Sequence, residues 1–500
     1  MLCNQFNLSR PRNVDVSNAA STSYSAPKLG RTGRHGRQLI WMDLSLRLKC
    51  HRQILALCAT LKADTAPSIS ATQQNATAIS ATFQEPRGSI RDNTGRLMLR
   101  NLTLQELQEW LISVGERPNR AEQLFRWLYG KNAWIRDISE AKDNGFAFSK
   151  VFKEKVITSA SLSGGLTLQS VRTAQDGTKK LVFALNQGEG SAMGTVETVL
   201  IPMPNKNGIN SRYTACLSTQ VGCAMNCQFC YTGRMGLLGN LTTAQIVEQV
   251  VEARRMLSQE ASDSAGASEI PIGNIVFMGM GEPLHNYNAL LAAIDILAEG
   301  LCLSRSKIIV SSVGLVPEIR SFLDTKKAKL AVSLHATTDE VRDWIVPVNR
   351  RYPIKELISL LQGYFPMSNA KQSNTSDKFV VIEYVLLRHI NDTAEDAVRL
   401  SDLLKDVYCM VNLIVFNPHE GTQFKGSEEE SVKTFRSILV KAGKVCTVRV
   451  SKGDDTMSAC GQLGDLGSSP RLAPLLQPPE KFRKYLNSAI DPEKEVELWK

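Results

Sequence analysis

Nothing in these 500 residues approaches the ~18 uninterrupted apolar positions of a membrane span. The nearest candidate, residues 38–61, is broken by Asp43, Arg47, Lys49, His51 and Arg52, which argues against a transmembrane helix. No apolar core followed by a small-residue cleavage site stands at the N-terminus, which argues against secretion. Cysteine is too thinly spread for a disulfide scaffold, at 11 in the whole chain. Acids are scarce only at the start: residues 1–84 carry ten Lys and Arg against three Asp and Glu. Most of the formal charge of +10 therefore sits in the leader, and global charge gives no reason to assign nucleic-acid binding to the rest. Internal repeats are absent.

What is present is a chain of 43% hydrophobic and 22% charged residues, a soluble globular composition with room for several modules. Residues 1–90, rich in Ser, Ala, Thr, Asn and Arg, read as a transit peptide or disordered leader. Residues 100–155 read as a helical accessory module. Thr103 and Glu106 form a capping box there, and Leu104, Leu107, Trp110, Leu111 and Val114 follow at helical spacing. Its Arg100, Arg117, Arg120, Arg126 and Lys131 are candidates for gripping phosphates, or a solvated face. Residues 160–205 contain "KKLVFAL" and "TVETVLIP", a β-rich connector.

From residue 209 to 455 six strand-like runs alternate with amphipathic helices. The runs are "YTACLST", "NIVFMGM", "KIIVSS", "LAVSLHA", "KFVVIEYVLL" and "VNLIVFN". That alternation predicts right-handed βαβ units, an α/β fold with a partial (β/α)6 barrel, and chemistry at the C-terminal ends of its strands. Residues 258–273 read as a polar surface loop. A loop at 456–466 carries Cys460, and the Pro-rich end, 467–500, reads as an extension without regular structure.

Four cysteines fall between 216 and 230, which points to metal or redox chemistry in a reducing compartment. In "GCAMNCQFCYTG", Cys223, Cys227 and Cys230 follow the first strand of the barrel pattern. Thiolates at this spacing favour zinc or iron–sulfur. Zinc takes a nearby fourth ligand, but the next histidine, His285, lies far downstream behind "GEP". A four-iron cluster on three thiolates leaves one iron open to the amino and carboxylate groups of S-adenosylmethionine.

This C-x3-C-x2-C loop, with Phe229 before its last cysteine, resembles the signature of the radical-SAM superfamily. Together with "NIVFMGMGEPLHN", "VSLHATTDEVRDWIVPVNRRY", "FNPHEGTQF" and "GDDTMSACGQL", it closely resembles the dual-specificity RNA adenine-C2 methyltransferases of the RlmN type, whose relative Cfr attacks C8. The resemblance runs from about residue 100 to 465. It implies a 4Fe-4S cluster on Cys223, Cys227 and Cys230, and S-adenosylmethionine held by Gly281, Glu282, Ser311, Ser333, Leu334, His335 and Asn417. It also implies that Cys460 accepts a methyl group and becomes S-methylcysteine, that a radical drawn from a second S-adenosylmethionine activates that methyl, and that Cys216 resolves the adduct on adenine. Glu197 matches the proton acceptor.

The implied substrate is large-subunit ribosomal RNA, with transfer RNA as a second, and the implied electron donor is a reductase or ferredoxin-type protein. A monomer without membrane attachment is expected, in a chloroplast, with a mitochondrion or the cytoplasm as alternatives. A C8 methyltransferase would share the cysteine set. A non-catalytic iron–sulfur RNA-binding or assembly protein would need neither Cys216 nor Cys460. One departure is local: Tyr231 stands where many relatives carry a small residue.

Overall fold

The computed structural model describes residues 91–486 apart from 131–133, 142–147, 186–193, 206, 209, 264–269, 369–378, 450–451, 466, 468 and 470–471. The leader, Lys131 and the last fourteen positions of the C-terminal extension lie outside the described residues.

One ten-stranded sheet organises the described chain. Its strands are β1 (Leu166–Thr173), β2 (Lys179–Leu185), β3 (Thr195–Pro204), β4 (Asn210–Cys216), β5 (Ile272–Phe277), β6 (Ile308–Ser312), β7 (Lys329–Ser333), β8 (Val380–Leu386), β9 (Cys409–Val415) and β10 (Val445–Arg449). They lie side by side in chain order. β1 to β4 pair antiparallel, so the connector strands continue the barrel sheet rather than forming a sheet of their own. From β4 to β10 every pairing is parallel. The six expected barrel strands are present, and β10 adds a further parallel strand that the sequence reading passed over. β8 is buried along its whole length, and its sequence "VVIEYVL" is the near-continuous apolar run of a strand covered on both faces.

The crossovers carry α4 (Thr243–Asp263), α5 (Tyr287–Gly300), α6 (Val316–Thr325), α7 (Ile354–Tyr364), α8 (Ala394–Leu403) and α9 (Glu429–Lys441). Because each parallel strand is followed by its neighbour in the same direction, right-handed crossovers put these helices on one face. The other face is left to line an interior. The segment 258–273 corrects the loop expectation: α4 continues through Ser258–Asp263, where Gln259, Glu260 and Ala261 favour helix, and β5 begins at Ile272.

The N-terminal module consists of α1 (Leu104–Ser113), α2 (Arg120–Tyr129) and α3 (Lys150–Ser159). Its capping box forms as expected: the Glu106 N–H donates to Thr103 Oγ1 at 3.4 Å, and the Thr103 N–H to Glu106 Oε2 at 2.8 Å. Arg100 is not a phosphate grip. It is wholly buried, donates from its Nη2 to the Ile135 carbonyl at 3.0 Å, and lies 3.8 Å from Glu248 of α4. Its guanidinium fastens the module to the barrel. Arg120 pairs with Glu116 at 3.2 Å and covers the Phe152 ring, and Arg126 pairs with Glu122 at 3.9 Å. Among the described residues no helix is long and apolar enough to cross a membrane.

Candidate active site

The cysteine loop is built on a sharp reversal. Gly222 has φ 70°, and a Cβ there would lie 1.9 Å from the Gly236 carbonyl oxygen, so only glycine admits the pairing of Gln220–Gly222 with Leu237–Asn240. Backbone bonds then set the loop: the Cys223 N–H donates to Gly236 O at 2.7 Å, that of Cys230 to Cys227 O at 3.0 Å, and that of Gln228 to Ile345 O at 3.0 Å. Cys223, Cys227 and Cys230 thereby border one inner cavity of about 130 Å³.

Among the described residues no three His, Cys, Asp or Glu side chains converge tightly enough to hold a single metal ion. A mononuclear tetrahedral site does not fit that arrangement. A polynuclear cluster does, because its metal atoms stand apart and take thiolates spread around a cavity. Burial raises all three thiols above their ordinary range, and cysteine neighbours raise Cys223 and Cys227 further. A cationic iron–sulfur core reverses that preference, as metals do for the thiols that bind them.

The rest of the inner cavity is contributed by strand ends. Gly281, with φ 99°, packs so close to Gln220 that a Cβ would meet that side chain at 2.6 Å. Glu282 accepts the Val313 N–H at 3.0 Å and the Leu284 N–H at 3.3 Å, and burial pushes its carboxyl up to about 7. Ser311, next to the last residue of β6, and Ser333, ending β7, bring their hydroxyls within 3.2 Å. His335 accepts the Val385 N–H on Nδ1 at 3.0 Å, so its proton resides on Nε2. Burial, with Arg342 adding to it, drives this imidazole down to about 3, leaving it neutral. The Phe229 ring meets it edge-on at 5.0 Å. Leu334 borders neither cavity; it is wholly buried, donating to the Glu383 carbonyl and accepting from Arg342 Nε at 2.8 Å.

Beyond the inner cavity lies an outer one of about 300 Å³, bordered by Cys216 at the end of β4, by Asn417, and by the apolar side chains of β3. The two cavities share five bordering residues, Met278, Ile414, Arg449, Cys460 and Leu463. Cys460 is thus part of the wall between the cysteine loop and the outer cavity. It is exposed where it borders the two cavities, yet the surrounding protein still raises its thiol by desolvation. Burial, with Cys460 adding to it, pushes the Cys216 thiol up to about 12. Glu197 of β3 borders neither cavity: it pairs with Lys180 at 3.3 Å and accepts the Gly464 N–H at 3.1 Å. Burial raises its carboxyl, and Lys180 opposes the rise.

The Cys460 loop is tied to the cysteine loop itself. The Tyr231 N–H donates to Gly461 O at 2.8 Å, the Thr232 hydroxyl donates to the Leu463 carbonyl, and the Tyr231 ring meets His419 edge-on at 5.3 Å.

The C-terminal extension, expected without regular structure, has only a short 3-10 turn, Glu480–Tyr485, among its described residues. Residues 472–486 have little regular structure, yet they lie as a strap along the outer side of the cysteine loop. Asn226 Nδ2 donates to Pro474 O at 3.0 Å, the Ala473 N–H to Arg234 O at 2.7 Å, and the Leu476 N–H to Gln228 Oε1 at 2.7 Å. Phe482 then stacks on Trp344 with ring centroids 5.8 Å apart.

Sequence reasoning passed over Arg449, Glu383, Arg342 and Lys180. Glu383 had a signal, a lone acid inside the apolar run of β8. It accepts Asn412 Nδ2 at 3.2 Å on both oxygens. Arg342 holds the loops after β6 and β7 by donating to the Val313 carbonyl at 2.6 Å and the Leu334 carbonyl at 2.8 Å.

Known proteins share this architecture. The Radical SAM superfamily pattern matches residues 217–400, and that of the ribosomal RNA large subunit methyltransferase N-terminal domain matches residues 97–159. The dual-specificity RNA methyltransferase RlmN of Syntrophotalea carbinolica is 40% identical over 76% of this chain and 93% of its own length. That of Geotalea uraniireducens is 41% identical over 73% and 96%. The crystal structure of a radical SAM methyltransferase from Sphaerobacter thermophilus superimposes with a TM-score of 0.62 at 38% identity, over 73% of this chain and 98% of that one. With its site assembled from the motifs that carry the likeness, the chain belongs to the dual-specificity RNA methyltransferase RlmN family.

Proposed function

We propose that this protein is a radical S-adenosylmethionine RNA methyltransferase that places a methyl group on C2 of adenine in large-subunit ribosomal RNA and in transfer RNA, within a plastid. The observation that carries the reading is the position of Cys460 in the wall shared by the two cavities. A shuttle must meet its methyl source on one side and its acceptor on the other.

Cys223, Cys227 and Cys230 would hold the cluster, and Gly281, Glu282, Ser311, Ser333 and His335 the S-adenosylmethionine. When bound, that pair supplies one-electron chemistry strong enough to remove hydrogen from an unactivated methyl group. Glu282 presents a carboxylate oriented by two backbone N–H groups, suited to an ammonium. Cys460 would take the methyl as a thioether, its S–C bond forming as the donor's sulfonium S–C bond breaks and its thiol proton passing to solvent. The outer cavity, at the small end of ordinary ligand sites, suits a base splayed out of its RNA fold. Cys216, bordering that cavity as a protonated thiol, is positioned to resolve the adduct. Glu197 acts as base only once Gly464 moves away from its carboxylate.

The plastid reading is supported by the acid-poor leader, with its ten basic residues against three acids. Residues 1–90 fused to a fluorescent protein test it, and fluorescence confined to the cytosol would overturn it. An electron donor of ferredoxin type and a monomeric state complete the proposal.

Reconstituted enzyme given reductant, S-adenosylmethionine and RNA is the test of the chemistry. Cys460→Ala is expected to keep the visible absorbance of the cluster while losing both the methylated peptide and the methylated RNA. Normal RNA methylation by that variant would refute the shuttle. Isotope-labelled adenine, read by mass spectrometry, distinguishes the C2 product from C8.

A further inference from the structure

Lys180 lies on β2, far from the cysteine motifs in sequence, and only 3% of its surface is exposed. Its Nζ is 3.3 Å from Glu197 Oε1 and donates to the Met457 carbonyl at 3.1 Å. The other oxygen of Glu197 accepts the Gly464 N–H at 3.1 Å. The pair therefore reaches the Cys460 loop on both sides of the cysteine, three residues before it and four after.

Neighbouring contacts belong to the same seat. The turn between β1 and β2 supplies Gln175, whose N–H donates to Asp455 Oδ2 at 3.0 Å, and Asp176, which accepts the Gly453 N–H at 3.3 Å. These hold the base of the loop. The bonds flanking Cys460 itself pass through the Lys180–Glu197 pair, through the two residues after Cys230, and through Gln462, whose Nε2 donates to the Pro418 carbonyl at 3.0 Å.

A buried lysine–carboxylate pair costs desolvation that its own attraction barely repays, so its presence calls for another use. We propose that Lys180 is a positioning residue for the methyl-carrying loop: bridging the Glu197 carboxylate and the Met457 carbonyl, it fixes where the Cys460 thiol stands between the two cavities. The seat depends on charge. When Glu197 gains a proton, the ion pair becomes an ammonium beside a neutral acid and the grip on the loop weakens. The functional meaning of this seat rests on the reading of Cys460 as the methyl carrier, but the mechanical claim does not.

The experiment is amide hydrogen exchange of residues 457–464 in the reconstituted holoenzyme, with RNA methylation kinetics alongside. Lys180→Met leaves an unpaired buried carboxylate and carries a risk of misfolding, so Lys180→Met/Glu197→Gln, which removes both charges, is the decisive variant. Its loop amides are expected to exchange about tenfold faster or more, the effect of losing charge-assisted hydrogen bonds, while β4 to β9 keep wild-type protection. Lys180→Arg, which keeps the charge and both reaches, should hold wild-type loop protection and kcat. Lys180→Met, where it folds, should lower kcat with the KM for RNA unchanged. Wild-type loop protection in the double variant would overturn the proposal, as would a Lys180→Met enzyme with normal kcat. Exchange is read without turnover, so a failure of the shuttle reading, seen as RNA methylation by Cys460→Ala, is distinguishable from a failure of this one.

Discussion

Cys216 should behave as an unusually inert thiol in the resting enzyme. It ends β4 with 7% of its surface exposed, and burial first, then the nearby Cys460, push its thiol from 9.0 to about 12. At about pH 8 its thiolate population is then roughly a thousandfold below that of an unperturbed cysteine. The decisive quantity is the slope with pH. Between about pH 9 and 10 an ordinary thiol gains less than about twofold in thiolate, whereas Cys216 gains about tenfold. Pulsed iodoacetamide labelling of the reconstituted enzyme, followed by digestion and mass analysis of the Cys216 peptide, reads that slope. Cys302, exposed on the surface, reports reagent quality and any loss of fold. Removing the neighbour with Cys460→Ser should speed labelling of Cys216. A labelling rate that levels off near pH 9 would refute the reasoning. With it would fall the view that Cys216 waits as a protonated thiol until the adduct forms.

Three other expectations are independent of this one. Burial pushes Glu248 up to about 7 despite Arg100, so the native state holds that proton more tightly than the unfolded chain does. The associated stability is full below about pH 4.5 and falls as pH climbs through 7, on the order of 3 kcal/mol in all. Glu248→Gln should flatten this dependence in urea titrations followed by tryptophan fluorescence, to which Trp110, Trp127 and Trp134 of the N-terminal module contribute, and parallel curves would refute it. Gly222→Ala should abolish cluster incorporation, read as missing visible absorbance, because its Cβ would meet the Gly236 carbonyl at 1.9 Å. Ending the chain before residue 472 should hasten loss of that absorbance in air, and unchanged bleaching would show that the strap shields nothing.

What was legible in the sequence was what is local in it. Cys223, Cys227 and Cys230 sit within eight positions on one loop, so their spacing pointed to a thiolate metal site and the resemblance to the cluster. The six barrel strands were legible because buried parallel strands are continuous apolar runs. Arg449 and Lys180 were not, since their meaning comes from β10 and β2 standing beside a loop hundreds of positions away or at the opposite side of the sheet. Arg100 was misread because a charge beside a helical module looks solvated until its partner Glu248 is found on α4. The docking of the extension was not legible for a different reason: proline-rich chain without regular hydrogen bonding still docks when an aromatic such as Phe482 finds an aromatic patch. Ser258–Asp263 failed on composition, since scattered serines in an Ala- and Glu-containing stretch do not stop a helix already packed on the sheet.

The strap bears on the order of assembly. It is the last described segment of the chain, and it bonds to Asn226 and Gln228 of the loop that carries Cys223, Cys227 and Cys230. If those thiols hold the cluster as proposed, its insertion should be faster in a chain ended before residue 472 than in one where Phe482 stacks on Trp344.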